Sequence, residues 1–212
     1  MVRKWIGYIG VGSLMCAALG CGILYTRQAR LQQTISDKVL RFHVLANSDS
    51  EADQNLKLAV RDAVGSFMQE KLAAVENLEE CELIVRQSIG EIEEAAAETI
   101  AENGYDYDVT AELEHTSFPV KNYGSYTFPA GDYEALRIVI GEGNGHNWWC
   151  VMYPNMCFSD SMYEVVDKEA GEKLREVLTT EEYEKVLAEG DYQVRMKYFS
   201  WLNLYLEKLA EN

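Results

Sequence analysis

The sequence predicts an α+β protein with a largely antiparallel sheet and helices packed on one face, preceded by an N-terminal membrane or signal segment. Three patterns predict it. The N-terminus holds a long uncharged run, two later segments repeat apolar residues with a helical period, and several short segments alternate between apolar and polar residues. We therefore expect an N-terminal segment over residues 1–30 and a single domain over residues 31–212, which is an ordinary size for one domain.

The N-terminal segment carries no charge between Trp5 and Tyr25, and Arg3 and Lys4 precede this run. About 21 residues in a helix are just long enough to cross a hydrocarbon core. A basic start followed by an apolar run is typical of a signal peptide or a membrane anchor. Small residues around Gly20 offer a cleavage site, so cleavage remains an alternative to the anchor that we favour.

Charge is divided unevenly along the chain, whose net charge is −16. Residues 1–30 contain four basic residues and no acid, whereas residues 31–212 contain all 35 acidic residues and 15 basic ones. Such an acidic domain is repelled by phosphate backbones and anionic lipid headgroups. We therefore expect no nucleic-acid partner, and contact with a membrane only through the N-terminal segment.

The first elements of the domain are a strand and a helix. Residues 38–46 alternate, with Leu40, Phe42 and Val44 on one side and Val39, Arg41 and His43 on the other, which predicts a strand. Ser50 and Asp53 have the spacing of a capping box and predict the start of a helix. Its apolar stripe is formed by Leu56, Val60, Ala63, Phe67 and Leu72.

The later elements follow the same reasoning. A second helix is predicted from about Leu78 to Asn103-Gly104, followed by a half-buried strand over residues 105–114. Short strands are predicted at residues 125–128, 133–140 and 147–153, and helices from about Glu169. The apolar stripe of the last predicted helix is formed by Val194, Tyr198, Trp201, Leu202, Tyr205 and Leu209.

Two motifs lie near the third of these strands. Residues 141–145 resemble a phosphate-binding loop only in their glycine content, since no lysine follows and Glu142 lies inside, so a mobile hairpin connection is predicted. Trp148 and Trp149 are adjacent, so a strand would direct one indole into the core and the other to the opposite face. The second indole is then either a contact site or covered by a helix.

Cys150 and Cys157 flank six residues that could form a hairpin, which would place the two cysteines opposite each other and permit a disulfide. A location outside the cytoplasm would allow such a bridge to persist. Two free, buried thiols are the alternative that the spacing leaves open.

No catalytic or metal site is marked by the sequence. His43, His115 and His146 are the only histidines, and they lack the close spacing typical of zinc ligands. Cys150 could pair with His43 or His115 as a thiol nucleophile, but no local motif indicates it. We therefore expect no cofactor, no metal and no catalytic residue.

Several long motifs together resemble the stage II sporulation protein R family, over about residues 38–160. They include Leu40-Arg41-Phe42-His43-Val44-Leu45-Ala46-Asn47-Ser48-Asp49-Ser50, His115-Thr116-Ser117-Phe118-Pro119-Val120-Lys121, Pro129-Ala130-Gly131-Asp132-Tyr133-Glu134-Ala135-Leu136-Arg137 and Asn147-Trp148-Trp149-Cys150-Val151. The resemblance implies a signal made in the forespore and exported to the intermembrane space. There it would activate a membrane-embedded aspartic protease that processes a sporulation sigma-factor precursor.

This implied role is not enzymatic, and no catalytic residue is carried over from the family. The candidate partner-binding residues are Asn47, Asp49, His115, Lys121, Trp148 and Trp149. The alternative is an exported hydrolase of cell-wall or peptide substrates that uses Cys150 or a histidine–carboxylate site. In a hydrolase one side chain would abolish turnover, whereas in a ligand the losses would be spread over a surface patch.

Overall fold

The structure, a computed structural model, describes residues 2–156 and 168–187. The predicted stripe from Val194 to Leu209 and the residue Cys157 lie outside the described residues. The helices are α1 (Val2–Ser36), α2 (Glu51–Leu72), α3 (Leu78–Gln87), α4 (Ile89–Glu102), α5 (Lys168–Val177) and α6 (Thr180–Leu187). The strands are β1 (Leu40–Leu45), β2 (Val109–Phe118), β3 (Lys121–Tyr123), β4 (Tyr126–Phe128), β5 (Gly131–Ile140) and β6 (Asn147–Tyr153).

The main sheet has four strands in the order β2-β5-β1-β6. Only β1 and β5 run parallel, and both outer pairs are antiparallel, so the predicted α+β fold with a largely antiparallel sheet is confirmed. Strands β3 and β4 form a separate antiparallel hairpin. Strand β6 is therefore an edge of the sheet and β1 lies in its centre.

The first face of the sheet packs against α2, α3 and α4. Leu40, Phe42 and Val44 point to this side, as their alternation predicts, and each is fully buried. The capping box is confirmed, because the Ser50 side chain accepts a hydrogen bond from the backbone N–H of Asp53 at 3.1 Å. These contacts fix the start of α2 at the end of β1.

The second face is also covered, so the prediction that helices pack on one face only is wrong. The end of α1, the β3–β4 hairpin, α5 and α6 contribute to a second apolar cluster that includes Ile35, Phe118, Phe128, Tyr133, Leu174 and Val186. The physical reason lies in β1, whose second-face residues Arg41 and His43 are 0% and 2% exposed. A strand buried on both sides needs a second layer.

Two elements differ from the sequence prediction. The helix expected from Leu78 is divided at the buried residue Ser88 into α3 and α4, while its predicted end at Asn103-Gly104 is confirmed, with Gly104 at φ +84°. Strand β2 continues through His115 to Phe118, since it pairs with β5 along its whole length and buries Phe118 in the second apolar cluster.

The N-terminal residues form one continuous helix, α1, which runs past residue 30 to Ser36. Its middle turns expose Leu19, Ile23 and Leu24, each more than 60% accessible. Among the described residues, no helix combines the length and the apolar character needed to cross a membrane. The signal or anchor role of residues 1–30 stays a prediction.

Candidate partner-binding site

Two turns meet at one end of the main sheet, where the parallel strands β1 and β5 both finish. We call residues 47–50 and 141–146 the interlocked turns. The side-chain oxygen of Asn47 accepts a hydrogen bond from the backbone N–H of Glu142 at 3.0 Å, and its carbonyl accepts one from Asn144 at 3.1 Å. The carbonyl of Ala46 accepts a third from Gly145 at 2.9 Å.

The glycines of the second turn are required by this close approach. A Cβ atom on Gly141, which has φ +56°, would lie 2.3 Å from the Asn47 side-chain oxygen, and one on Gly145 would lie 2.2 Å from the Ser48 carbonyl oxygen. The prediction of a hairpin connection is wrong, because β1 lies between β5 and β6 and the loop crosses the end of β1.

Asp53 is the buried acceptor of the interlocked turns. Its carboxylate accepts hydrogen bonds from the Ser48 hydroxyl at 2.5 Å and from the Asn47 amide at 3.0 Å. These two bonds, together with a side-chain bond from Tyr107, hold the pKa of Asp53 below its usual value. Asn47 is therefore a structural residue that ties β1, α2 and the 141–146 turn together.

Asp49 lies on the exposed rim of the same turns. It accepts a hydrogen bond from the backbone N–H of His146 at 2.6 Å and also contacts the ring Nδ1 of that residue. The backbone bond lowers the pKa of Asp49. Lys57 donates to the carbonyl of His146 at 3.0 Å from the side of α2. Within the described residues no group of three or more His, Cys, Asp or Glu side chains could hold a metal ion.

The two tryptophans of β6 point to opposite faces of the sheet, as strand geometry predicts. The Trp148 ring is 5.5 Å from that of Phe42 on the first face, and the Arg61 guanidinium lies 5.1 Å from its centroid. Trp149 stacks on His43 at 4.9 Å on the second face. Both indoles are half-buried. The prediction that the two indoles lie on opposite faces is confirmed, and neither indole is fully buried or fully exposed.

Arg41 is a fully buried cation on the second face. Its Nε donates to the Cys150 carbonyl at 3.0 Å and its Nη2 to the Tyr123 hydroxyl at 2.9 Å. Aromatic rings surround the guanidinium at 4.5 to 5.6 Å from their centroids, contributed by Phe118, Tyr123, Phe128 and Tyr133. Its Nη1 has no hydrogen-bond partner, and among the described residues Arg41 forms no ion pair.

His43 lies next to Arg41 on the same side of β1 and has no hydrogen-bond partner for either ring nitrogen. Burial, with the nearby charge of Arg137, lowers the pKa of His43 to about 4, so the imidazole is neutral at neutral pH. The neighbouring Asn147 also has an unpartnered side-chain oxygen. Lys121 places its ammonium group 5.6 Å from the Trp149 ring centroid, above this group.

His115 lies elsewhere. It is on the first face of edge strand β2, is 77% exposed and contacts Glu134 at 2.9 Å, near Arg86 of α3. The structure therefore brings together Asn47 and Asp49 in the interlocked turns, and Lys121 and Trp149 on the second face, but it does not bring His115 to either group.

The cysteines within the described residues do not assemble a thiol–histidine pair. Cys150 is disulfide-bonded and points to the first face, whereas His43 points to the second. Cys157 lies outside the described residues, so the pairing of Cys150 with Cys157 stays a prediction. Cys81 is free and buried, and burial raises the pKa of its thiol to about 12, far from the range of a nucleophilic thiolate.

Sequence reasoning did not predict the buried polar group formed by Arg41, His43 and Asn147, or the position of Arg137 beside it. A signal for it was present, because the alternation of β1 places a charged and an ionisable residue on the same side as the apolar Val39. A polar side chain within a strand buried on both faces indicates either an internal partner or a ligand.

Together these features define a class: an α+β protein with fixed turns at one end of its sheet and with aromatic residues beside cations on both faces. The family profile described as stage II sporulation protein R matches residues 36–163. The chain belongs to this family, and its role is therefore in sporulation.

One curated relative supports the assignment. The chain is 40% identical over 147 residues to the stage II sporulation protein R of Bacillus subtilis strain 168. The match covers 67% of this chain and 66% of the relative, which is just under two thirds of that protein. No solved structure matches the chain.

Proposed function

We propose that the protein is an exported, non-enzymatic signal that activates a membrane-embedded aspartic protease, which then processes a sporulation sigma-factor precursor. The protein is made in the forespore and acts in the intermembrane space, where its N-terminal segment delivers or anchors it. Membership of the stage II sporulation protein R family supports the role in sporulation. The protease, the compartment and the mode of action belong to the proposal.

The observation that carries the proposal is the pair of half-buried indoles on edge strand β6. Trp148 lies beside the Arg61 guanidinium on one face, and Trp149 lies beside the Lys121 ammonium on the other. Tryptophan and arginine are enriched among the residues that dominate protein interfaces. An edge strand with such residues on both sides suits contact with a protein better than turnover of a small substrate.

Activation requires that the protein bind the active arrangement of the protease more tightly than the resting one. A tenfold preference corresponds to about 1.4 kcal/mol, and a shift from almost wholly resting to almost wholly active requires about 5.5 kcal/mol. Several contacts are therefore needed, which agrees with candidate residues spread over two faces of the sheet.

The proposal is tested first by export. Deleting residues 1–25 should stop sigma-factor processing, because the target faces the space outside the producing membrane. An unrelated signal peptide fused to the same truncated chain should restore processing, which controls for loss of folding. Processing by a truncated chain that fractionation places wholly in the cytoplasm would refute an external signal.

A second test measures contact. The full-length chain should co-purify with the protease after co-expression, and Trp149→Ala should reduce both co-purification and sigma-factor processing. Leu83→Ala is the matched control, since Leu83 is an apolar side chain that is 54% exposed on α3, which packs on the first face, whereas Trp149 lies on the second. Equal losses for both variants would indicate general destabilisation and not a contact at Trp149.

The hydrolase alternative is tested at the disulfide. Replacing both Cys150 and Cys157 with serine should lower the free energy of unfolding by about 2.5 kcal/mol, the value for a short closed loop, and should leave some signalling activity. Complete loss of activity in a Cys150→Ser protein that melts like the wild type would favour a thiol hydrolase.

A further inference from the structure

Three side chains form a row across the second face of the main sheet. The parallel register places Arg137 of β5 opposite His43 of β1, and the antiparallel register places Trp149 of β6 opposite the same His43. Directly paired residues on adjacent strands point to the same face, about 5 Å apart. We call Arg137, His43 and Trp149, together with Lys121 above the indole, the cationic row.

The polar groups in and beside the row lack partners. Both ring nitrogens of His43, the Nη1 of Arg41 and the side-chain oxygen of Asn147 are buried and make no hydrogen bond. Asn147 is close to His43, but the two groups do not meet the geometry of a hydrogen bond. A buried donor or acceptor left without a partner costs about 1 to 3 kcal/mol, so three such residues at one place are not explained by stability.

The charge of this region is opposite to that of the chain. Arg41, Lys121 and Arg137 gather here in a protein of net charge −16. Within the described residues neither Arg41 nor Lys121 forms an ion pair, and Arg137 has only a long contact with Glu114 at 3.6 Å. Burial and the charge of Arg41 lower the pKa of Lys121, whereas Arg137 has Glu114 as its ion-pair partner and Glu112 as its cross-strand neighbour.

We infer that the cationic row is a recognition site for a carboxylate carried by an acidic side chain of the protein partner. Lys121 and Arg137 are half-buried and meet the carboxylate at the surface, while the buried residues His43 and Arg41 supply unpartnered nitrogens. Arg137 also lies opposite Glu112 of the edge strand β2, so Lys121 is the cation of the row that forms no ion pair among the described residues. The identity of the partner as a protein rests on the proposed function; the site itself does not.

The test uses the purified full-length chain and three small probes. N-acetyl-aspartate N-methylamide carries a side-chain carboxylate, its asparagine counterpart is neutral and of the same shape, and N-acetyl-alanine carries a terminal carboxylate. Binding is followed by the NMR signals of the His43 ring and by indole fluorescence. The aspartate probe should bind saturably and at least about tenfold more tightly than the asparagine probe, a difference of about 1.4 kcal/mol.

Variants at two lysines test whether the aspartate probe binds at Lys121. Lys121→Met should weaken the aspartate probe about tenfold, and Lys121→Arg should restore it. Lys71→Met is the control, because Lys71 also lies over an aromatic ring, that of Phe67 at 4.8 Å, away from the row, where it pairs with Glu91 at 2.7 Å. Equal binding of the aspartate and asparagine probes, or equal loss in both methionine variants, would overturn the site. Tighter binding of N-acetyl-alanine would overturn the assignment to an acidic side chain.

The sporulation assay separates this inference from the proposed function. If Lys121→Met loses both probe binding and sigma-factor processing, the row is the partner site. If that variant loses probe binding but still triggers processing, the row is not used for the partner and the inference fails. A wild-type chain that binds the aspartate probe through Lys121 but never activates the protease would refute the proposed function alone.

Discussion

The interlocked turns and the cationic row are both polar and lie near each other on β1. They differ in whether their buried polar groups have hydrogen-bond partners. In the turns, Asp53 accepts hydrogen bonds from Ser48 and Asn47, and backbone hydrogen bonds join the two turns to each other. In the row and directly beside it, His43 and Arg41 are buried with unpartnered nitrogens. Buried polar groups that satisfy each other hold a fold together, whereas those left unsatisfied indicate a ligand.

The largest expected effect is steric and tests the turns. Gly145→Ala should lower the free energy of unfolding by about 3 kcal/mol, since its Cβ would lie 2.2 Å from the Ser48 carbonyl oxygen and the backbone would have to move. Gly90→Ala is the control: that position of α4 is open, so the change should be neutral or stabilise by up to about 1 kcal/mol. Chemical denaturation of both variants measures the difference.

The second prediction concerns the buried acceptor. Asp53→Asn should cost about 2 kcal/mol at neutral pH, because the Ser48 and Asn47 donors lose a charged acceptor. The folded pKa of Asp53 lies below its unfolded value, so its stabilisation is present above the unfolded pKa and is lost as pH falls through the folded pKa. Denaturation at pH 7 and near pH 3 should show the difference shrinking, and Asp106→Asn at an exposed position should show none.

Much of the fold could be predicted because local patterns determine it. Ser50 and Asp53 mark the start of α2, Gly104 marks the end of α4, and the alternation of β1 places Leu40 and Phe42 in the first core. The parallel pairing of β1 with β5 could not be predicted, since no local feature encodes which distant strand becomes a neighbour. The layer that covers the second face of the sheet could not be predicted for the same reason.

The site was predicted only in part for a similar reason. Asn47 and Trp149 were selected from their motifs, but the role of Asn47 as a support for residues 141–146 depends on a contact with Glu142 far along the chain. The cationic row joins residues from four strands, so its members are separated in sequence by up to about a hundred positions. Spacing along the chain carries no signal for such a row, and only the register reveals it.

The third prediction concerns His43, whose replacement should raise the free energy of unfolding, whereas replacement of Asp53 should lower it. His43→Phe should raise the free energy of unfolding at pH 7 by about 1 kcal/mol, because it replaces an unsatisfied buried imidazole with an apolar ring between Trp149 and Phe118. The folded pKa of His43 is about 4, below its unfolded value of 6.5, so the unfolded state binds more protons between these values. The wild type therefore loses stability as pH falls from 6.5 to 4, and the advantage of the variant should grow over that window.

Carboxylate binding and sigma-factor processing should fall in the same His43→Phe variant. Thermal melts between pH 4 and 7 measure the stability, and the probe titration measures the binding. A variant that is less stable than the wild type at pH 7 would place His43 with the structural groups of the interlocked turns and would remove the contrast between the two regions.

The smallest effect on stability is expected at Lys121, and the contrast with Lys38 makes it informative. Lys38 pairs at 2.6 Å with Glu182, whose side chain is 4% exposed, so Lys38→Met leaves a buried carboxylate without its cation and should cost about 2 kcal/mol or more. Lys121 has no ion pair among the described residues, and the lowering of its pKa means that its charge is mildly unfavourable in the folded state. Lys121→Met should therefore change the free energy of unfolding by less than about 0.5 kcal/mol.

Denaturation curves for both variants measure these changes. A large loss of stability in Lys121→Met would mean that the ammonium group of Lys121 supports the fold, and the effect of this variant on signalling could then no longer be attributed to recognition.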